Sequence, residues 1–288
     1  MIEIRDIGDT GDGIVISNIS FGYEKIAILQ NINVNIRKGR VVSLLGPNGC
    51  GKTTLLKIIN GSLKSEKGTV YIDGSDIRRA SYRQIARKMG QVSQNHKSSF
   101  PFTVLDVVLT GRAPYVPAFS SPGTRDMSIC SGILEKLGIT HLSQKPYTRI
   151  SGGERQLVMI ARALVQEPKF LLLDEPTTFL DLKNQMHILK SVVTLARERN
   201  ITVLMTLHDP NHALMFSDAI ILMKKPSDSP GVDTPPEGNN VKGDRSGNNI
   251  VSTGSPAEVI TTNHMKEAYG IDVDIIDHNG CRLIVPRI

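Results

Sequence analysis

The sequence has no tryptophan, and all aromatic residues together make up 5% of its 288 positions. Its net charge of +6 is not gathered into any dense Lys/Arg run. A surface that grips nucleic acid needs such runs and aromatic faces for the bases, so no nucleic-acid partner is expected. The basic balance suits a protein working near anionic lipid or a polyphosphate. Cysteine is scarce. Cys50, Cys130 and Cys281 are odd in number and far apart, which offers neither a disulfide framework nor a zinc spacing. A reducing, cytoplasmic setting is the expectation. Long apolar runs are missing too: a bilayer-spanning helix needs about 18 residues or more, whereas residues 201–207 and Ala219–Met223 read as short buried strands. The opening MIEIRDIGDTGDG is acidic and Gly-rich where a secretory signal carries a basic and then an apolar stretch, so no such signal is expected.

What remains is ordinary globular composition, 40% hydrophobic and 22% charged, which excludes collagen-like and wholly disordered chains. Residues 14–36 alternate in the manner of strands, with Ile32, Val34 and Ile36 on one face and Asn33 and Asn35 on the other. Val41–Leu45 is a continuous apolar run before a Gly-rich loop, as a fully buried strand would be. Residues 70–72 make another short strand between Lys67-Gly68 and Asp73-Gly74 turns. Residues 1–90 thus read as β-rich with one helix, placed after the Gly-rich loop. Helices are expected at 125–137 and from Ser151 onward, where Leu157, Ile160, Ala161 and Leu164 share a face. Strands return at Phe170–Leu173 and 201–207 with a helix at 182–199 between them, an order that implies a parallel sheet. The stretch 226–249 has four Pro, four Gly and four Asn but two apolar residues, and reads as a disordered loop. Alternating Ile271, Val273 and Ile275, an Asn279-Gly280 turn and a final apolar stretch predict a terminal hairpin.

Two motifs carry chemistry. Gly46-Pro47-Asn48-Gly49-Cys50-Gly51-Lys52-Thr53-Thr54 matches G-x-x-x-x-G-K-[ST] in full, between the strand Val41–Leu45 and a helix carrying Leu55, Leu56, Ile58 and Ile59. The glycines let backbone N–H groups converge on an anion at a helix N-terminus. Lys52 is expected on the β and γ phosphates of ATP, and Thr53 on Mg²⁺. Cys50 is given no chemistry of its own. Phe170–Leu173 then delivers Asp174 and Glu175 to the edge where open α/β sheets bind ligands. Asp174 is the expected Mg²⁺ partner through water. Glu175 is the group expected to orient or deprotonate the attacking water.

Ser151-Gly152-Gly153-Glu154-Arg155-Gln156 opens a helix. Ser-x-x-Glu is a capping box, but two glycines in a first helical turn carry an entropic cost that suits close approach to a phosphate. Residues 150–156 resemble the signature motif of ABC-transporter ATPases, with Ile150 where Leu is usual. The resemblance covers nearly the whole chain except 226–249. It implies that Ser151, Gly152, Gly153, Glu154 and Gln156 serve the ATP held by a second copy of the chain. It also implies an adenine-stacking role for Tyr23, a Q-loop role for Gln94 in sensing Mg²⁺ and contacting a membrane partner, and a D-loop over Thr178-Phe179-Leu180-Asp181. His208 matches the switch histidine that contacts the γ-phosphate, which completes a catalytic set of Glu175, His208, Gln94 and Lys52 and a metal set of Thr53, Gln94 and Asp174.

The fold so implied is α/β: a P-loop NTPase core with an antiparallel β subdomain and an inserted α-helical subdomain. Core and β subdomain are expected at about 1–94 and 166–225, the helical subdomain at 95–165, and a C-terminal extension with a hairpin at 250–288. Residues 100–115, from Phe100-Pro101-Phe102-Thr103-Val104 to Gly111-Arg112-Ala113-Pro114-Tyr115, resemble the ATPases of iron–siderophore, haem and cobalamin importers. So does the tail around Gly254-Ser255-Pro256 and Tyr269-Gly270-Ile271-Asp272-Val273. Molybdate and tungstate importers have similar ATPases. The partners implied are a second copy, an integral-membrane permease dimer and, indirectly, an extracytoplasmic binding protein, with the chain on the cytoplasmic face of the membrane. A soluble ABC ATPase acting on nucleic acid or ribosomes would usually carry two cassettes or long coiled coils. Neither is present here. A scaffold without turnover would be expected to have lost Glu175 and His208.

Overall fold

The computed structural model describes residues 12–24, 26–93, 102–117, 119–226, 248–278 and 281–287. Gln94, residues 227–247 of the expected loop and the Asn279-Gly280 turn lie outside the described residues. Within them the strands are β1 (Gly13–Tyr23), β2 (Ile26–Arg37), β3 (Val41–Leu45), β4 (Lys67–Ile72), β5 (Ser75–Asp76), β6 (Met89–Val92), β7 (Phe170–Leu173), β8 (Thr202–Thr206), β9 (Ala219–Met223), β10 (Ile250–Gly254), β11 (Val273–His278) and β12 (Cys281–Pro286). The helices are α1 (Lys52–Ile59), α2 (Tyr82–Lys88), α3 (Val104–Leu109), α4 (Thr124–Lys136), α5 (Gly152–Leu164), α6 (Leu182–Glu198), α7 (Pro210–Phe216), α8 (Pro256–Val259) and α9 (Thr262–Tyr269).

The central sheet runs β10-β9-β3-β8-β7-β6, with β10 antiparallel at one edge and its other pairs parallel. Its central strands β3, β7 and β8 are buried along their whole length. Val41 and Leu45 of β3 join Val203 and Met205 of β8 and Leu171 and Leu173 of β7 in the core beneath α3–α6. The alternate residues Val42, Leu44, Leu204, Phe170 and Leu172 face α1 and the second sheet. The period of two along each strand therefore sorts one apolar run into two cores. The second sheet is antiparallel, in the order β2-β1-β4-β5, and packs its apolar face over α1.

Arg112 ties the segment after α3 to α4 and to the segment that leads from α5 to β7. Its buried guanidinium lies 2.8 Å from Asp126 and 2.9 Å from Glu167, donates to the Val165 carbonyl at 2.6 Å and stacks 4.3 Å from the Tyr115 ring centroid. Burial opposes its charge, but the two carboxylates outweigh that and hold its pKa above the ordinary value. The Gly-Arg-x-Pro-Tyr stretch is thus a packing latch: a Cβ on Gly111 would sit 2.1 Å from the Arg162 carbonyl oxygen. At the other end of the chain, β11 and β12 form the expected hairpin, and Asn211 of α7 grips Ile284 through both its amide and its carbonyl, at 2.8 and 3.3 Å.

Three expectations need correction. The first 90 residues hold a second helix, α2, capped by a Ser81–Gln84 box but with no buried residue, so it shows no apolar period. Ile271 is exposed and stands before β11. Asn249 does not behave as a residue of a solvated loop. It is fully buried, accepts from the Gln30 amide at 2.8 Å and donates to the Ile28 and Lys224 carbonyls at 3.0 and 3.4 Å. Asn249→Ala leaves these backbone groups without a partner, a loss of about 2–4 kcal/mol. The check is the urea unfolding midpoint at unchanged m-value, and a loss below about 0.5 kcal/mol would contradict it.

Candidate active site

β3 ends at Leu45 and α1 begins at Lys52, so residues 46–51 turn at the C-terminal edge of the parallel strands. The turn needs glycine at two tight places. Gly46 has φ 151° and a Cβ there would lie 2.5 Å from the Met223 carbonyl oxygen; Gly51 has φ 100° and its Cβ would meet Leu29 Cδ2 at 2.6 Å. No side chain caps α1 and no acidic residue lies in its first turn. Its first amides and its positive dipole end are therefore available to an anion. Lys52 is 5% exposed, and its ammonium donates to the Gly46 and Pro47 carbonyls at 2.6 and 3.0 Å. An ammonium has three donors, so these two bonds orient the group and leave a third for a phosphate. Cys50 is fully buried inside the loop, and burial pushes its thiol pKa up, which disfavours a nucleophilic role.

β7 brings the two acids to the same edge. Asp174 is buried, and its Oδ1 accepts from the Thr53 hydroxyl and the Thr206 hydroxyl, each at 3.0 Å. Burial raises its pKa, the two hydroxyls oppose the rise, and the neighbouring Glu175 charge adds to it. A buried carboxylate held by hydroxyls is well matched to a hard divalent cation, so Thr53 and Asp174 fit Mg²⁺.

Glu175 is a non-glycine residue with φ 51°, a left-handed conformation that costs roughly 1–2 kcal/mol. Contacts from Thr206, Thr178 and His208 help hold it there. Its amide donates to Thr206 Oγ1 at 2.7 Å, the Thr178 hydroxyl donates to Oε2 at 3.0 Å, and His208 Nε2 lies 2.7 Å from Oε1. His208 sits just past the end of β8, the strand beside β7, which is why residues far apart in sequence meet.

The structure thus brings Lys52, Thr53, Asp174, Glu175 and His208 to one sheet edge. Other expected residues stand elsewhere. Ser151 caps α5 by the expected box: its oxygen accepts from the Glu154 amide at 3.3 Å, and Glu154 accepts from the Ser151 amide at 2.7 Å, which lowers the Glu154 pKa. Ser151 and Gly152 are exposed, while Gly153 lies against Asn184, 3.1 Å from where its Cβ would be. Asp181 caps α6, accepting from the Asn184 amide and side chain at 2.8 Å each. Tyr23 is half exposed and meets Phe21 edge-on, with ring centroids 4.9 Å apart. Sequence reasoning missed Asn184 and Thr206, and it placed Thr178 in the D-loop without its bond to Glu175. The available signal for Thr206 was a polar residue inside an apolar strand.

A family model described as "ABC transporter" matches residues 29–178, over half of the chain. The chain belongs to the ABC transporter family. An uncharacterised ABC transporter ATP-binding protein of Methanocaldococcus jannaschii is 37% identical over 271 residues, 94% of this chain and 96% of that protein. The iron(3+)-hydroxamate import ATP-binding protein FhuC of Bacillus subtilis is 35% identical over 258 residues, covering 90% and 88%. Among solved structures, an inward-facing ABC transporter provisionally assigned to the metal-chelate type aligns with a TM-score of 0.78 at 28% identity, over 96% of this chain and 98% of that one. This ABC protein is an ATPase that binds ATP with Mg²⁺ and hydrolyses it. Lys52→Ala removes a charged donor from the loop at residues 46–51 and is expected to weaken binding of a fluorescent ATP analogue roughly 10- to 100-fold. Unchanged affinity in that titration would remove Lys52 from the binding set.

Proposed function

We propose that this ABC ATPase drives import of a metal chelate, of the iron–siderophore, haem or cobalamin kind, as a dimer bound to a separate membrane permease. The observation that carries the cargo is the likeness to an iron(3+)-hydroxamate import ATPase along 90% of the chain. This reading needs a membrane permease as partner; no helix among the described residues is long and apolar enough to cross a membrane. An extracytoplasmic binding protein would deliver the chelate to that permease.

Within the site, Lys52 and the loop amides of residues 46–54 bind the phosphates, and Tyr23 offers its exposed ring to adenine. Thr53 and Asp174, together with Gln94, would hold Mg²⁺, which supplies charge neutralisation at the phosphates. Glu175 acts on the attacking water. Both of its oxygens are engaged in the resting chain, Oε2 by Thr178 and Oε1 by His208. His208, beside Oε1, stands where it can turn toward the γ-phosphate. The far side of the γ-phosphate falls to the second copy. Ser151 and Gly152 present a hydroxyl and a solvent-exposed helix start at α5, and Glu154 and Gln156 flank them. Asp181 lies beside this helix end through Asn184. Two chains related by a two-fold axis would bury two ATPs, and hydrolysis would loosen them.

Glu175→Gln keeps the shape but removes the charge, so steady-state phosphate release should fall about 10²–10⁴-fold while ATP still binds. The same variant should run as a dimer with Mg-ATP and a monomer with Mg-ADP in light scattering, and Ser151→Arg should abolish the dimer. A Glu175→Gln protein that stays monomeric with its permease present would sink the composite site. For the cargo, cells lacking the chain should lose growth on one chelate as sole source of its metal. Loss of molybdate uptake alone would redirect the assignment.

A further inference from the structure

We propose that Thr206 is a positioning residue of the ATPase site, its one hydroxyl fixing Asp174 and Glu175 relative to each other. This rests on the reading of Glu175 as the group that acts on water. Thr206 is the last residue of β8, fully exposed to neither solvent nor loop: it is completely buried, paired with Leu44 of β3 on one side. A hydroxyl at such a place in an apolar strand is unfavourable unless its donor and acceptor capacities are both used. Both are used. The Glu175 N–H can only donate, so Thr206 Oγ1 accepts there, at 2.7 Å. The hydroxyl proton is then directed to Asp174 Oδ1, at 3.0 Å.

The backbone gives the reason for this arrangement. The β7–β8 register runs to Leu173↔Met205 and ends there. The Asp174 amide turns to the opposite neighbour and donates to the Val92 carbonyl at 2.9 Å. The next amide, that of Glu175, sits at φ 51° and points back toward β8, where the Thr206 side chain takes the place of a ladder carbonyl. Thr206 thus supports the left-handed turn that sends the Glu175 side chain to Thr178 and His208. Valine has the same shape without the hydroxyl. It would remove the Thr206 acceptor from the Glu175 amide, loosen the turn and take one of the two hydroxyls from Asp174. The Lys52 contacts to Gly46 and Pro47 do not pass through Thr206, so nucleotide binding should survive the change.

The test compares Thr206→Val, Thr206→Ser, Thr206→Cys and Glu175→Gln in the full chain. The readouts are turnover at saturating Mg-ATP, affinity for a fluorescent ATP analogue, and hydrogen exchange of the Glu175 amide without nucleotide. Thr206→Val should lower kcat about 10- to 100-fold, as expected for a misplaced catalytic group, with ATP affinity within about threefold of wild type. Its Glu175 amide should exchange faster. Thr206→Ser should restore most of the turnover and the protection. Thr206→Cys, a similar volume with a weak donor, should fall between, and it carries the test if the valine variant does not fold. Wild-type kcat in Thr206→Val or Thr206→Cys, unchanged amide exchange, or a failure of serine to rescue would overturn the proposal. Full turnover by Glu175→Gln would instead overturn the role of Glu175 itself, and so separates the two failures.

Discussion

The structure depends on one constraint: its central strands are buried on both faces. β3, β7 and β8 can carry almost nothing but apolar side chains along their length, because α3–α6 cover one face and α1 with the antiparallel sheet covers the other. Polar chemistry is therefore pushed to the strand ends. At the C-terminal edge β3 runs into the phosphate loop, β7 into Asp174 and Glu175, and β8 into His208. The site is a direct result of where the apolar runs stop, and the parallel register brings the three ends level.

That edge also sets how the charges are kept. Lys52 and Asp174 are each drawn out of bulk water, and each is held by neutral partners, loop carbonyls for the first and hydroxyls for the second. None of these partners neutralises a charge outright. The groups are therefore oriented but electrostatically incomplete, a state that favours a polyphosphate and its cation entering together.

Much of this was legible in the sequence where the constraint is local. The phosphate loop declares itself because a strand, glycines that must turn, Lys52 and Thr53 are contiguous, and the acidic pair because it ends a four-residue apolar run. The capping box at Ser151 and Glu154 was readable for the same reason. What could not be read depends on contacts between distant segments. The approach of His208 to Glu175 follows from β7 and β8 being neighbours, and Thr206 shows in the sequence only as a polar residue in an apolar run, with nothing local to say which groups it holds. Asn249 follows a stretch of loop composition, and its burial is decided by Ile28, Gln30 and Lys224, far away in sequence. The helix α2 gave no period because it buries no side chain.

The grip of Asn211 on Ile284 has a mechanical meaning. α7 begins two residues after His208, and its first turn is clasped to the last strand of the hairpin by a pair of hydrogen bonds to the N–H and C=O of one residue, Ile284. The tail and the histidine segment are thereby coupled as a lever is to its pivot. A protease that clipped β12 would slacken α7 at its start, and the damage would be transmitted to the site's edge from the far end of the chain.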